Sequence, residues 1–219
     1  MGVLRLSSWC TPRAAAATMA AIRVAARIVA LGGLVVYPTD TVYGLGANPF
    51  SSYAVWRVFR AKERPSNRPI PVLVSSLRAA EKIAELDDRA RRLAERFWPG
   101  PLTIVVPAKP GLPSLLHAGT GRIGVRVPNH PIALKFIEAV GGAITGTSAN
   151  LHRKPSPCTV QEAMKQLGCR VDIYLDGGPT PGGTPSTVVD LTTPKPRLVR
   201  RGPIPPEEIE AVLATPIEA

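Results

Sequence analysis

Residues 32–46, GGLVVYPTDTVYGLG, decide the fold because a helix gives way to a buried strand within them. Apolar residues before this segment recur at helical spacing, and its first two glycines are typical of a helix C-terminus. Residues 34–37 predict a short buried strand, which Pro38 ends. We expect residues 42–46 to form a loop beside the strand end, where two glycines permit close backbone approach.

The rest of the chain continues this alternation of helices and strands. Further strands are predicted at 70–74, 102–106, 123–127, 143–145, 171–175 and 187–191. Helices are predicted at 22–30, 52–62, 77–86, 88–97, 131–140 and 160–167, and a short one follows Pro205. Some connections between strands are short, which favours a mixed sheet over a purely parallel one. The predicted fold class is therefore α/β, with an open mixed sheet and flanking helices.

The length of 219 residues, with 45% hydrophobic and 20% charged residues, predicts one compact domain. We place this domain at 19–219 and interpret 1–18 as an N-terminal extension, with disorder and membership of the native protein both left open. Residues 1–39 contain four arginines and no acid, a composition that transit peptides share. The predicted location is cytoplasmic, with a mitochondrial location as the alternative.

Two further features of the composition bear on the compartment. The three cysteines share no CxxC spacing, which indicates neither a disulfide framework nor a zinc site and favours a reducing compartment. No apolar run is long enough to span a bilayer, so no membrane partner is predicted.

The charge of the chain predicts an anionic ligand. The formal net charge is +11, and aromatic residues make up 5% of the chain without alternating with basic ones. Small phosphorylated ligands are therefore favoured over sequence-specific reading of RNA. Lys62, Arg64 and Arg68 form a basic cluster at the exit of a predicted helix, where guanidinium forks suit phosphate or carboxylate oxygens. The alternative for this cluster is a solvated basic turn.

Eight motifs occur in an order that resembles the YrdC-like family of threonylcarbamoyl-adenylate synthases. They extend over one domain, from the first predicted strand to the last basic motif. The resemblance implies a twisted open α/β sheet around a large basic cleft. The motifs are PTDTVYGL (38–45), KERP (62–65), WPGPLT (98–103), VRVP (125–128), TSAN (147–150), DGG (176–178), STVVD (186–190) and RRG (200–202).

The resemblance implies formation of L-threonylcarbamoyl-AMP and pyrophosphate from L-threonine, bicarbonate or CO2, and ATP. That product serves N6-threonylcarbamoylation of adenosine 37 in tRNA by a downstream transferase machinery, and a contact with tRNA itself is left open. Two anions must meet in this reaction, so clustered cations would offset their repulsion and align them. No residue is assigned as acid, base or nucleophile, and Mg²⁺ is expected with the triphosphate, with unknown ligands. The alternative function is a module that binds double-stranded RNA or tRNA without catalysis.

The same motifs imply the site residues. Arg126 is the expected clamp on the threonine carboxylate, and the small polar residues could instead stabilise turns or strand ends. Asp190 is interpreted as structural, and the roles of Arg122 and Leu73 are left open because relatives often carry other residues there. The implied threonine-binding residues are Thr41, Arg126 and Ser186. The implied ATP-binding residues are Lys62, Arg64, Arg68, Ser148, Asn150, Ser156 and Arg200.

Overall fold

The structure is a computed structural model that describes residues 2–6 and 11–218. These residues form eleven strands and seven α-helices. The strands are β1 Gly2–Arg5, β2 Val35–Tyr37, β3 Gly44–Gly46, β4 Val72–Val74, β5 Leu102–Pro107, β6 Arg122–Arg126, β7 Ala143–Thr145, β8 Thr147–Ser148, β9 Ile173–Asp176, β10 Thr187–Asp190 and β11 Arg197–Arg200. The helices are α1 Pro12–Ala30, α2 Ser52–Lys62, α3 Leu77–Ile83, α4 Asp88–Phe97, α5 Pro131–Ala139, α6 Val160–Leu167 and α7 Pro206–Leu213.

The described strands form two mixed sheets. The first has the order β1-β9-β2-β3-β8, and the second has the order β11-β10-β5-β6-β4-β7. Parallel and antiparallel pairs occur in both sheets. The prediction of an α/β fold with mixed pairing and flanking helices is confirmed. The single predicted sheet is corrected to two sheets. Strand β3 pairs with β2 and β8 in the first sheet, whereas β5 pairs with β6 and β10 in the second.

Strand β3 corrects the prediction that residues 42–46 are only a loop. A Cβ atom on Gly46 would lie 2.5 Å from Ile144 Cδ1 and 2.8 Å from Tyr37 Cε1. Glycine therefore lets this strand lie directly against the Tyr37 ring, whose hydroxyl donates to the Thr145 carbonyl at 3.2 Å. Glycine is depleted in strands, which is why the pattern of the sequence favoured a loop.

The close contact at Gly46 leads to a stability prediction. We expect Gly46→Ala to lower the free energy of unfolding by about 1–3 kcal/mol, because the added methyl group overpacks a buried site. Urea denaturation would measure the change. Gly2→Ala is a matched control, since a Cβ atom there meets only Ile173 Cγ1, at 4.0 Å. Equal stability of the two variants would contradict the packing argument.

The N-terminal elements start earlier than the sequence pattern indicated. Helix α1 begins at Pro12, and the Thr11 side chain accepts a hydrogen bond from Ala14 N at 3.2 Å. Strand β1 pairs in parallel with β9. The predicted extension 1–18 thus overlaps β1 and the first turns of α1, while the domain division itself stays a prediction. Cys10 lies outside the described residues.

Helix ends elsewhere follow local capping chemistry. Ser51 caps α2, and Thr159 forms the predicted capping box with Glu162 at the start of α6. His130, rather than the neighbouring asparagine, caps α5 by accepting from Ala133 N at 3.3 Å. Among the described residues, no helix has both the length and the apolarity needed to cross a membrane.

Candidate functional site

A cleft of about 530 Å³ lies between strands of both sheets, within the usual size range of a small-molecule site. Strands β3 and β8 of the first sheet contribute to its wall, together with five strands of the second sheet. Within the described part of the chain, the charged side chains that line it are six arginines and one aspartate. They are Arg64, Arg68, Arg122, Arg126, Arg197, Arg200 and Asp190.

The alternation of strand residues places several of these side chains on the cleft face. Arg122, Gly124 and Arg126 line the cleft from β6, at every second position. A bulge changes this alternation in β11, because Val188 pairs with Arg200 while the next residue pairs with Leu198. The extra residue, Val199, turns Arg200 to the cleft face as well.

Arg126 is the most deeply buried arginine of the cleft, with 4% of its surface exposed. Its Nε donates to the Gly100 carbonyl at 2.8 Å, its Nη1 donates to Thr41 Oγ1 at 3.1 Å, and its Nη2 pairs with Asp40 Oδ1. Burial lowers the pKa of Arg126, and the charge of Asp40 opposes that shift. Arg126 is thus fixed in one orientation at the cleft wall. It lies next to the hydroxyl group of Thr41, which the motifs also assign to threonine binding.

Ser186 and Arg200 form a second polar contact in the cleft. The Ser186 and Thr103 hydroxyl groups lie 2.8 Å apart, and Arg200 Nη2 donates to Ser186 Oγ at 3.0 Å. Arg200 Nε also donates to the Ser186 carbonyl at 2.9 Å. Burial, followed by the positive charge of Arg126, lowers the pKa of Arg200. The two arginines are therefore close enough to repel each other, and an anion between them would relieve that repulsion.

Arg64 and Arg68 line the cleft from the turn after α2. Arg64 Nε donates to the Arg68 carbonyl at 3.1 Å, and its Nη2 donates to the Pro69 carbonyl at 2.9 Å. These bonds tie the turn together and hold Arg64 in place. Burial, then the charges of Arg68 and Arg200, lower the pKa of Arg64. The Arg68 side chain is exposed, and no described residue gives it a hydrogen-bond or ion-pair partner.

Lys62 is oriented away from the cleft, unlike the two arginines of the cluster. Its Nζ donates to the backbone carbonyls of Ser148 and Asn150, the latter at 2.6 Å, and lies 3.4 Å from Asn150 Oδ1. The Asn150 amide donates in turn to the Leu151 and Lys154 carbonyls. Lys62 and Asn150 are not among the cleft-lining residues, whereas Ser148 is. The geometry makes Lys62 and Asn150 supports of the loop that presents Ser148.

The burial of Lys62 leads to a pH prediction. Burial, followed by the charge of Arg64, lowers its pKa from the usual 10.5 to about 7. Between these values the unfolded chain binds more protons than the folded one, so the contribution of Lys62 to stability rises with pH, by at most about 1.4 kcal/mol per pH unit. We therefore expect the unfolding free energy of the wild type minus that of Lys62→Met, measured from pH 6 to 9, to increase above pH 7. A flat or falling difference would contradict this prediction.

The structure brings together most of the residues that the motifs implied. Thr41, Arg126, Ser186, Arg64, Arg68, Ser148 and Arg200 all line the cleft, and Ser156 does not. Arg122 and Leu73, whose roles the sequence left open, also line it. Sequence reasoning missed Asp40, Thr103 and Arg197. Thr103 could have been found from its place in an apolar strand, whereas Arg197 lies on an exposed edge strand without an apolar pattern.

This geometry defines an α/β domain with an arginine-lined cleft between its two sheets. The family model Sua5_yciO_yrdC, described as "Telomere recombination", matches residues 27–202. The chain therefore belongs to the Sua5/YciO/YrdC family, which confirms the resemblance drawn from the motifs.

Individual relatives are similar along most of this chain. A threonylcarbamoyl-AMP synthase of Pyrococcus abyssi is 44% identical over 88% of the chain, and one of Bacillus subtilis is 40% identical over 88%. The chain covers only 57% and 56% of these two proteins. Among solved structures, P. abyssi Sua5 complexed with L-threonine has a TM-score of 0.91 at 39% identity, covering 99% of this chain and 62% of that one. Escherichia coli YciO has a TM-score of 0.80 at 29% identity, covering 93% and 96%.

Proposed function

We propose that the chain is an L-threonylcarbamoyladenylate synthase, a nucleotidyltransferase. It would form threonylcarbamoyl-AMP and pyrophosphate from L-threonine, bicarbonate or CO2, and ATP. The observation that carries the proposal is the cleft itself, in which buried Arg126 and five further arginines meet around hydroxyl side chains. The names of the two relatives, which are 44% and 40% identical to this chain over the aligned residues, support the same activity.

The proposed reaction requires anionic groups to approach one another. The neutral amino group of threonine adds to the carbon of CO2 and releases a proton, or reacts with bicarbonate and releases water. An oxygen of the resulting carbamate then attacks the α-phosphorus of ATP. The bond between the α-phosphorus and the bridging oxygen breaks, and its electron pair leaves with pyrophosphate. Preorganised arginines offset the repulsion between the two anions and stabilise the charge that develops on the leaving group. Holding the reactants in register lowers the barrier further, so no covalent enzyme intermediate is needed.

Threonine would bind at the end of the cleft where Arg126 lies. The Nη groups of Arg126 donate to Thr41 Oγ1 and Asp40 Oδ1, and a guanidinium fork matches a carboxylate in geometry. Thr41 supplies a hydroxyl group at this fork, and Ser186 supplies one beside Arg200. Both are buried residues that line the cleft. That P. abyssi Sua5 was solved with L-threonine supports a threonine site in this fold.

ATP would bind toward the turn after α2. Arg64, Arg68 and Arg200 would contact its phosphates, and Ser148 would add a hydroxyl contact. Direct ATP contacts by Lys62 and Asn150 stay a prediction, while the hydrogen bonds of their polar atoms to the loop support a positioning role for both. Ser156 stays a prediction as an ATP contact.

Mg²⁺ would enter as part of the ATP substrate. Among the described residues, Asp190 is the single carboxylate that lines the cleft, and it is already engaged by Thr192 and two arginines. In the part of the chain that the structure describes, no cluster of three or more His, Cys, Asp or Glu side chains could hold a metal ion. The residues present do not fit a resident metal site, whereas ATP phosphates are a usual ligand of Mg²⁺.

The product of this reaction is a mixed anhydride, which must be consumed by an acyl transfer. We infer that a tRNA threonylcarbamoyl transferase machinery uses it to modify adenosine 37, in the cytoplasm. A mitochondrial location is the alternative, if the basic N-terminus is a transit peptide. Because the chain spans little more than half of its longer relatives, its activity and partners stand as proposals.

Incubation of the purified protein with ATP, Mg²⁺, bicarbonate and L-threonine tests the proposal. We expect pyrophosphate release that requires threonine, and a product whose mass is that of threonylcarbamoyl-AMP. Pyrophosphate release that does not require threonine, or no pyrophosphate release at all, would contradict the proposal. Tight RNA binding without this activity would instead favour the RNA-binding alternative, which the names of the relatives do not support.

A further inference from the structure

Two arginines at the far end of the cleft share one buried carboxylate. Arg122 begins β6 and Arg197 begins β11, whereas Arg126 and Arg200 end the same two strands. Arg122 and Arg126 are four residues apart on one strand, which corresponds to about 13 Å. Asp190 lies between Arg122 and Arg197, which we call the outer pair. Its Oδ2 is 3.4 Å from Arg197 Nη2 and 3.7 Å from Arg122 Nη1.

Asp190 is held rigidly in this position. Its side chain is 5% exposed, and its Oδ1 accepts from Thr192 N at 2.9 Å and from Thr192 Oγ1 at 2.6 Å. The other carboxylate oxygen therefore has a fixed place from which it attracts both guanidinium groups. Asp190 therefore has a structural role, as the sequence indicated, because it positions Arg122 and Arg197.

Most donors of the two arginines remain available. Their contacts with Asp190 are longer than the usual distance of a charge-assisted hydrogen bond. The side chains are 45% and 53% exposed, and no other partner exists for them among residues 2–6 and 11–218. Two positive charges opposed by one negative charge leave this end of the cleft with a net positive charge and free N–H groups.

We propose that Arg122 and Arg197, positioned by Asp190, form a second phosphate subsite. This inference rests on the proposed synthase function, in which one phosphoryl group stays with adenosine while pyrophosphate leaves. That chemistry requires two separate anion contacts, and the cleft contains two separate arginine groups. The Arg64, Arg68 and Arg200 group would contact the α-phosphate, and the outer pair would contact the pyrophosphate part of ATP. The outer pair would thus offset the charge that develops on pyrophosphate when the bond between the α-phosphorus and the bridging oxygen breaks.

Calorimetry with inorganic pyrophosphate and with AMP, titrated separately, tests this assignment. In Arg122→Ala/Arg197→Ala we expect pyrophosphate affinity to fall about tenfold or more, while AMP affinity changes less than about twofold. Arg64→Ala should weaken AMP more than pyrophosphate. Arg92→Ala, which removes an exposed arginine of α4 outside the cleft, is the matched control and should leave both affinities unchanged.

The outcomes separate the subsite from the synthase function. Unchanged pyrophosphate affinity in the double variant, or an equal loss of both ligands, would overturn the subsite. Arg122→Lys provides a second check, because it keeps the charge and loses the fork, so it should recover only part of the pyrophosphate affinity. If the double variant loses pyrophosphate binding as expected but the wild type releases no pyrophosphate with threonine, the subsite stands and the synthase function fails.

Discussion

Replacement of Arg126 by alanine is expected to weaken threonine binding about 100-fold or more, because it removes the guanidinium fork proposed to hold the substrate carboxylate. The same change should lower the free energy of unfolding by about 3–5 kcal/mol, since it leaves the Asp40 carboxylate, which is only 11% exposed, without its cation. It also removes the donor that the Gly100 carbonyl accepts from. Calorimetry with threonine and urea denaturation would measure the two effects.

Arg126→Lys separates threonine binding from stability. Lysine keeps a positive charge near Asp40 but cannot form the fork, so we expect much of the stability to return while threonine binding stays weak. Binding of a non-hydrolysable ATP analogue serves as the control in the same samples. A folded Arg126→Lys protein with wild-type affinity for threonine would refute the proposed clamp.

Arg64→Ala is expected to weaken nucleotide binding by about 10- to 100-fold while leaving threonine binding nearly unchanged. Hydrogen bonds to charged groups contribute about 1.5–3 kcal/mol, and Arg64 also ties its turn to the Arg68 and Pro69 carbonyls. Losing both the phosphate contact and the hydrogen bonds of the turn should weaken binding of the nucleotide, which is the ligand proposed to contact this turn. Calorimetry with the ATP analogue and with threonine measures the two affinities.

Arg60→Ala is the matched control for Arg64→Ala. Arg60 lies one turn earlier on α2, is exposed, and contacts the Trp56 ring at 5.8 Å rather than the cleft. It should therefore bind nucleotide as the wild type does. An equal loss of nucleotide and threonine binding in Arg64→Ala would contradict the division of roles between Arg64 and Arg126.

The fold was largely predictable because its core strands are apolar and its helices are amphipathic. The strands that the pattern missed lack this signal for physical reasons. Strand β3 contains two glycines that make room for Tyr37, and β8 has only two residues. Strand β11 is an exposed edge with an arginine at each end. The division into two sheets depends on how these short strands pair, and that information is not local to any segment.

The candidate site was predictable in its composition but not in its orientations. Motifs identified Arg64, Arg126 and Arg200 as cleft residues, since arginine in this company indicates an anionic ligand. They could not indicate that Lys62 would bind carbonyl oxygens of a neighbouring loop, because a lysine suits either partner. The pairing of Arg126 with Asp40 and the bulge that turns Arg200 are also set by tertiary contacts.

We propose that one cleft holds threonine at Arg126 and the nucleotide at the Arg64 turn. A crystal structure of the protein with L-threonine and a non-hydrolysable ATP analogue would show both positions at once. We predict the threonine carboxylate within hydrogen-bond distance of the Arg126 guanidinium, and the α-phosphate near Arg64 and Arg200. Threonine bound outside the cleft, or phosphates bound at Arg126, would contradict the account.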